Sequence, residues 1–194
     1  MIVPMAIRER VSGLIDRLSA ERQFPTQGQT IFIDLEHQEV RRAYIPRRVV
    51  ETFLGGRGVN MYLLHNLLKS SLDPMHSDVP LIFGTGILTS LVPSAARGNV
   101  TSWSPETKVI LDSNAGDYFP SFMKLNGIDH LVLYGKARTW TLLQCEDGDI
   151  NFIDATPWMG MDNLDLRAAI ERDFRGQEGR DFGLASITTA GENL

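Results

Sequence analysis

The sequence predicts an α+β protein with largely antiparallel, mixed sheets, interspersed helices and one helix at the N-terminus. Two observations predict this class. Short apolar or alternating stretches typical of strands recur along the chain, several of them joined by tight turns as hairpins. Stretches with apolar residues at helical spacing lie between them, without the regular strand–helix–strand rhythm of a parallel sheet.

Length, charge and cysteine content exclude several classes of function. The 194 residues include 19 Lys+Arg and 24 Asp+Glu, for a net charge of −5, and 43% hydrophobic residues, enough for a sizeable core. Without a basic field, nonspecific binding to nucleic acid or anionic lipid is not expected. Since a lone Cys145 forms no internal disulfide and cannot hold an iron–sulfur cluster, we expect a cytoplasmic protein. No apolar stretch is long enough for a signal peptide or a membrane span.

The N-terminal segment is predicted to be an amphipathic helix over residues 7–21, because Ile7, Val11 and Leu14 fall at helical spacing between charged residues. The helix is interpreted as an extension, residues 1–28, of a main domain, residues 29–194. Its apolar face serves either for ordinary packing or for docking a partner.

The main domain begins with a predicted half-buried strand at 31–35, where Ile31, Ile33 and Leu35 alternate with other residues. Pro46, at a favourable first-turn position, opens a short helix to residue 54, and a glycine-rich break precedes the next helix. The same criteria of alternation, turn residues and helical spacing predict the remaining elements: strands at 40–44, 81–83, 99–103, 108–112, 131–134, 141–145 and 150–153, and helices at 59–68, 118–125 and 163–174.

Three glycine-containing loops are candidates for binding an anion. They are Gly55–Gly58 with Arg57, the stretch from Gly84 to Arg97, and the residues Asn114, Ala115, Gly116 and Asp117 before a predicted helix. Glycine lets an anion approach the backbone N–H groups, a helix N-terminus adds partial positive charge, and arginine adds paired donors. The ordinary alternative is that these glycines cap helices and form turns. The residues alone lead to an anion-binding α+β domain.

Several segments, in order and spacing, resemble the N-terminal domain of the aldehyde:ferredoxin oxidoreductase family of tungsten enzymes. The resemblance extends from about residue 31 to the end of the chain. The matching segments are FLGGRG at 53–58, DP at 73–74, PLIFGTGILT at 80–89, PSAAR at 93–97, SP at 104–105, DSNAGDYF at 112–119, MKLNGID at 123–129, GKA at 135–137, DA at 154–155, Trp158 and AGENL at 190–194.

The resemblance implies a β-rich base on which a tungsten or molybdenum bis-pyranopterin lies, with the metal held by the cofactor's sulfurs. By position, Arg97 resembles the family's pterin-contacting arginine, and Asn114, Ala115 and Gly116 its cofactor loop. The backbone carbonyl of Asn114 matches one that binds the magnesium bridging the pterin phosphates. On electrostatic grounds, Arg57 and Gly58 are added to this set.

This chain differs from the family pattern at Ala95, Ala96 and Asp117, where the family usually has glycines, and its loop before Arg97 is one residue shorter. Asp117 places an additional negative charge beside the expected phosphates. The chain also ends before the family's cluster cysteines and helical domains.

Two hypotheses follow. The first is the cofactor-binding part of an oxidoreductase that interconverts aldehydes and carboxylic acids, completed by further domains or a separate catalytic subunit. Its electrons would pass through an iron–sulfur cluster to a ferredoxin, and the assembly could include several copies of the chain. The second is an interaction module without catalysis. The sequence leaves open the substrate and the choice between tungsten and molybdenum.

Overall fold

The computed structural model describes residues 6–69, 72–116, 118–175, 181–187 and 189–193. The helices are α1 (Ile7–Ile15), α2 (Arg47–Phe53), α3 (Gly56–Leu67), α4 (Tyr118–Leu125), α5 (Asn163–Arg175) and α6 (Thr189–Glu192). The strands are β1 (Gln29–Asp34), β2 (Glu39–Ala43), β3 (Leu81–Thr85), β4 (Gly98–Trp103), β5 (Ile110–Ala115), β6 (Ile128–Tyr134), β7 (Thr141–Glu146) and β8 (Asp149–Asp154). A short 3-10 helix covers Thr156–Trp158.

Six strands form one sheet in the order β2-β1-β6-β3-β4-β5, and β7 and β8 form a separate hairpin. The pair β1–β6 is parallel, and every other adjacent pair is antiparallel. Tight turns join neighbouring strands such as β1 and β2, whereas the parallel pair requires a long crossover through the intervening elements. The predicted α+β class with largely antiparallel sheets is confirmed.

The sheet is covered on both faces. On one face, α1, α2 and α3 pack over the sheet in a core that includes Phe32, Ile82 and Val132. On the other face, Ile31 and Ile33 pack with Met123 of α4 and with side chains of the β7–β8 hairpin. The prediction of a half-buried first strand is therefore wrong, since Thr30 to Asp34 are all buried. The cause is the position of β1 inside the sheet, between β2 and β6.

The N-terminal helix α1 is part of the main core. Ile7, Val11 and Leu14 are at most 4% exposed and belong to the cluster beneath α3. The side chain of Arg10 donates to the carbonyl oxygen of Leu67 at 2.7 Å, and Arg8 pairs with the buried Asp34 at 2.9 Å. The apolar face of the helix is thus occupied by this chain, which contradicts its use for docking a partner. The helix ends at Ile15, earlier than the predicted residue 21.

The C-terminal part packs α5 through the buried Ala169 and Ile170, and the indole of Trp158 donates to Asp173 at 2.9 Å. The short helix α6 was not expected from the sequence. Within the described residues, no helix is long and apolar enough to cross a bilayer.

Candidate functional site

The three glycine-containing loops meet at one end of the β3–β4–β5 part of the sheet. Gly55 forms an isolated backbone bridge with Gly86, which joins the first loop to the second. The β4–β5 ladder ends with Gly98 opposite Ala115, so Arg97 and Gly116 follow at that same end. Loops separated by up to about sixty residues in sequence therefore form one surface.

The first loop turns sharply between α2 and α3. Leu54 adopts a left-handed conformation with φ 63°, and Gly55 follows with φ 85°, a value that glycine adopts without strain. Helix α3 begins at Gly56, so Arg57 and Gly58 lie in its first turn. A Cβ on Gly58 would lie 2.1 Å from the carbonyl oxygen of Phe53. Packing between the two helices therefore accounts for Gly58.

Arg57 is paired within the fold. Its guanidinium lies 2.6 Å from Oδ2 of Asp112 on β5, and the two side chains are 61% and 23% exposed. This ion pair ties the start of α3 to the edge strand. Because the carboxylate already compensates the charge of Arg57, this arginine is a weaker candidate for binding an anion than the sequence suggested.

The third candidate segment is partly a strand rather than a loop. Asn114 and Ala115 are the last residues of β5, because β4 continues to Gly98 and supplies their pairing partners. Asn114 lies opposite Asn99, and the side-chain Nδ2 of Asn99 donates to Oδ1 of Asn114 at 3.2 Å. The sheet thus holds the candidate asparagine in register, which a flexible loop would not do.

Arg97 and Gly116 remain available to a ligand. The guanidinium of Arg97 is exposed and makes no hydrogen bond or ion pair with the residues described. Its backbone is held by Thr89, whose Oγ1 donates to the Arg97 carbonyl at 3.1 Å and accepts from Gly86 N at 3.0 Å. A Cβ on Gly116 would meet nothing within 4 Å, so packing within the chain does not require glycine there.

A cavity of about 280 Å³ opens beside Gly116. Ala115 and Gly116 line it on one side, Phe119 and Pro120 of α4 on another, and the segment from Gly183 to Ser186 on a third. Arg97 and Asn114 lie outside the cavity lining, at the same end of the sheet, where an exposed guanidinium and an exposed side-chain amide are donors suited to phosphate oxygens. These two residues fit a phosphate-bearing group, and the cavity beside Gly116 offers adjoining space.

Two of the three positions at which this chain departs from the family pattern lie in the second loop. Ala95 and Ala96 are half-buried within the second loop, where the Ala95 carbonyl accepts from Ser90 N at 2.8 Å. Asp117 lies outside the described residues.

Sequence analysis missed three residues behind the site: Asn60, Asn99 and His130, all buried. One signal was present in the sequence. Asn60 occupies a position on the apolar stripe of α3, together with Val59, Leu63 and Leu67, where a polar side chain needs a partner. The partners themselves come from distant strands and had no comparable signal.

The described fold and its residues belong to a known family of domains. Residues 30–194 match the family model described as aldehyde ferredoxin oxidoreductase, N-terminal domain. The chain belongs to this family and constitutes its N-terminal domain.

Named relatives agree with this assignment. The chain is 30% identical over 168 residues to the tungsten-containing aldehyde ferredoxin oxidoreductase of Pyrococcus furiosus, covering 86% of this chain and 27% of the relative. The corresponding protein of Thermococcus kodakarensis gives the same identity and coverage. An aliphatic sulfonate oxidoreductase WOR-like subunit of Pyrococcus furiosus is 28% identical over 142 residues, 72% of this chain and 23% of the relative. The chain thus spans about a quarter of the length of these relatives.

A solved structure shares the fold. The active site complex BamBC of benzoyl coenzyme A reductase, in complex with 1,5-dienoyl-CoA, superposes with a TM-score of 0.75. The match covers 79% of this chain and 24% of the other at 23% sequence identity.

Proposed function

We propose that this domain is the base on which a tungsten, or molybdenum, bis-pyranopterin lies in an oxidoreductase that interconverts aldehydes and carboxylic acids. The single observation that carries the proposal is the convergence of Arg97, Asn114 and Gly116 at one end of the sheet, with the arginine uncompensated by the residues described. The tungsten enzymes among the relatives support the choice of cofactor.

Each residue has a defined task in this proposal. The guanidinium of Arg97 donates charge-assisted hydrogen bonds to a pterin phosphate, and the side chain of Asn114 donates a further one. Gly116 leaves the space that the cofactor fills. The backbone carbonyl of Asn114 would supply one oxygen ligand to a magnesium ion that accompanies the phosphates. When bound, the cofactor supplies the redox chemistry.

The remaining parts of the enzyme lie outside this domain. We propose that an iron–sulfur cluster and the substrate-binding residues are on further domains or a separate subunit, and that a ferredoxin accepts the electrons. A reducing compartment such as the cytoplasm suits a chain whose one cysteine, Cys145, is unpaired.

The test is elemental analysis for W, Mo and Mg, with pterin fluorescence after acid oxidation, on the 194-residue chain purified anaerobically from a host that makes the cofactor. We expect metal and pterin in the wild-type chain. Arg97→Gln should lower cofactor affinity by on the order of 10- to 100-fold, since a hydrogen bond to a charged group contributes about 1.5–3 kcal/mol.

The matched control is Arg22→Gln, which removes an exposed arginine outside the three loops and should leave the metal content unchanged. A folded wild-type chain without metal or pterin would contradict the proposal and favour an interaction module. Equal metal content in both variants would exclude Arg97 from the site.

A further inference from the structure

A series of buried polar side chains runs from the centre of the sheet to Asn114. His130 on β6, Asn60 on α3 and Asn99 on β4 are 2%, 0% and 4% exposed. His130 Nδ1 lies 2.8 Å from Asn60 Oδ1, Asn60 Nδ2 lies 3.1 Å from Asn99 Oδ1, and Asn99 Nδ2 lies 3.2 Å from Asn114 Oδ1. The interior of the domain is thus connected to the exposed site by consecutive hydrogen bonds.

Backbone carbonyls determine which way each buried amide points. Asn60 Nδ2 faces the carbonyl oxygens of Ile82 at 3.3 Å and Asn99 at 3.1 Å, and Asn99 Nδ2 faces the carbonyl oxygen of Ser113 at 3.2 Å. Each NH₂ group shares its two hydrogens between these carbonyls and the side-chain oxygens nearby. Since a carbonyl only accepts, the NH₂ group of each asparagine must face it. The oxygen of Asn60 then requires a donor, and His130 Nδ1 supplies it, so the imidazole carries a proton on Nδ1.

Neighbouring residues make room for this series of side chains and add a hydrogen bond to it. A Cβ on Gly84 would lie 2.3 Å from Asn60 Oδ1 and 2.8 Å from His130 Nδ1, so glycine makes room for their contact. Thr101 Oγ1 also donates to Asn99 Oδ1 at 2.6 Å. A buried polar group left without a partner costs about 1–3 kcal/mol, so the members of a satisfied network hold one another in place.

Burial also maintains the charge state of the histidine. It lowers the pKa of His130 to about 4, with Asp129 opposing and Lys124 reinforcing this effect. The imidazole is therefore neutral at neutral pH, and together with the hydrogen bond to Asn60 this places its single proton on Nδ1.

We propose that His130, Asn60 and Asn99 are positioning residues that turn the carbonyl oxygen of Asn114 toward the protein and its NH₂ group toward the ligand. This inference rests on the proposed function, which places Asn114 beside the cofactor phosphates. The inference goes beyond that function by explaining why the side-chain amide of Asn114 has a single orientation.

The consequence is a surface that presents hydrogen-bond donors. Asn114 Oδ1 is already engaged by Asn99, and the two oxygens of the neighbouring Asp112 are engaged by Asn99 and Arg57. Among the side chains described at this end of the sheet, the Asn114 NH₂ group and the guanidinium of Arg97 remain as donors to a ligand. Two side-chain donors suit an oxyanion such as a phosphate group.

The first experiment is nuclear magnetic resonance of the ¹⁵N-labelled chain without metal, with inorganic pyrophosphate as the anionic probe. We compare the wild type with His130→Leu, which lacks the donor, and His130→Asn, whose amide nitrogen takes the place of Nδ1. The wild type and His130→Asn should show an ordered Asn114 side-chain amide and bind pyrophosphate. His130→Leu should lose that order and bind at least about tenfold more weakly. Rescue by the asparagine variant would distinguish hydrogen bonding from simple loss of packing.

A second comparison uses an exposed position, so that folding is not at risk. Asn114→Asp replaces the outward NH₂ group with oxygen and should abolish pyrophosphate binding, more severely than Asn114→Ala, because the carboxylate repels the probe. The proposal is overturned if the imidazole proton is on Nε2, or if the Asn114 amide stays equally ordered in His130→Leu. It is also overturned if Asn114→Asp binds pyrophosphate with the same affinity as Asn114→Ala, or if the wild-type chain does not bind pyrophosphate.

These measurements need no tungsten and are independent of the metal analysis. A wild-type chain that binds pyrophosphate through an ordered Asn114 but carries no metal or pterin would refute the proposed function and retain the oriented anion site.

Discussion

The buried imidazole of His130 makes folding stability depend on pH in a defined window. In the unfolded chain a histidine has a pKa of 6.5, whereas burial lowers the pKa of His130 to about 4 in the folded protein. Between these values the unfolded state binds more protons than the folded state, so the free energy of unfolding falls as the pH falls. The stabilising contribution is fully present above pH 6.5 and is lost on acidification toward pH 4.

The magnitude follows from the gap between the two pKa values. At about 1.36 kcal/mol per pH unit, the interval from 6.5 to about 4 corresponds to about 3 kcal/mol of unfolding free energy. The side chain is 2% exposed, so solvent screening does not reduce this value appreciably. For a domain of this size it is a substantial fraction of the total stability.

The assay is urea unfolding at a series of pH values, followed by tryptophan fluorescence. Carboxylates also titrate near pH 4, so the informative quantity is the difference between the wild type and His130→Asn. The variant keeps the donor to Asn60 and removes the titrating group, and should lose about 3 kcal/mol of pH dependence. The control is His65→Asn, which removes an exposed histidine and should follow the wild type. Identical slopes for the wild type and His130→Asn would refute the reasoning.

Four further predictions test packing and charge. Gly58→Ala should destabilise the chain by roughly 1–3 kcal/mol, because the new methyl would lie 2.1 Å from a backbone oxygen of the preceding helix. Gly116→Ala should change the free energy of unfolding by at most about 0.5 kcal/mol, because the new methyl group enters open space. The same methyl group should reduce the metal content, since the cofactor needs that space; denaturant unfolding measures the first effect and elemental analysis the second. Arg57→Gln should cost at most about 1 kcal/mol, because the arginine of this ion pair is 61% exposed, and a larger loss in urea melts would show that the pair contributes more than an exposed one. Leu63→Ala should cost about 2–5 kcal/mol from the cavity it creates in the core, and a smaller loss would mean that the core collapses around the vacancy.

The chain corresponds to only part of the length of its relatives, and this determines what these measurements test. The chain matches about a quarter of the length of the tungsten enzymes of Pyrococcus and Thermococcus. Pyrophosphate binding and metal content therefore test the residues of this domain itself.

Much of the fold was predictable from local sequence. The helix over residues 118–125 was predicted with the bounds that α4 has, and most strands were placed within a few residues. These elements follow from apolar spacing and turn residues that are close together in the chain. The family resemblance also selected Arg97, Asn114 and Gly116, which the fold brings to one surface.

The errors arose where a distant partner decides the outcome. β5 continues through Ala115 because β4 pairs with it, and β1 is buried on both faces because it lies inside the sheet. The sequence left open whether the N-terminal helix packs in this chain or docks a partner, and α3 and Phe32 cover its apolar face. The spacing of apolar residues shows which face of a helix or strand is apolar, but not which other element will cover that face.

The sequence by itself determined the class of the fold, most of its helices and strands, and the family to which the chain belongs, because these depend on patterns local to each segment. Only the tertiary structure paired Arg57 with Asp112, left Arg97 exposed, and connected His130 to Asn114 through two asparagines. Hydrogen bonds and ion pairs require groups to meet at about 3 Å, and in this domain the groups come from α3, β4, β5 and β6, brought together by the packing of a helix on a sheet.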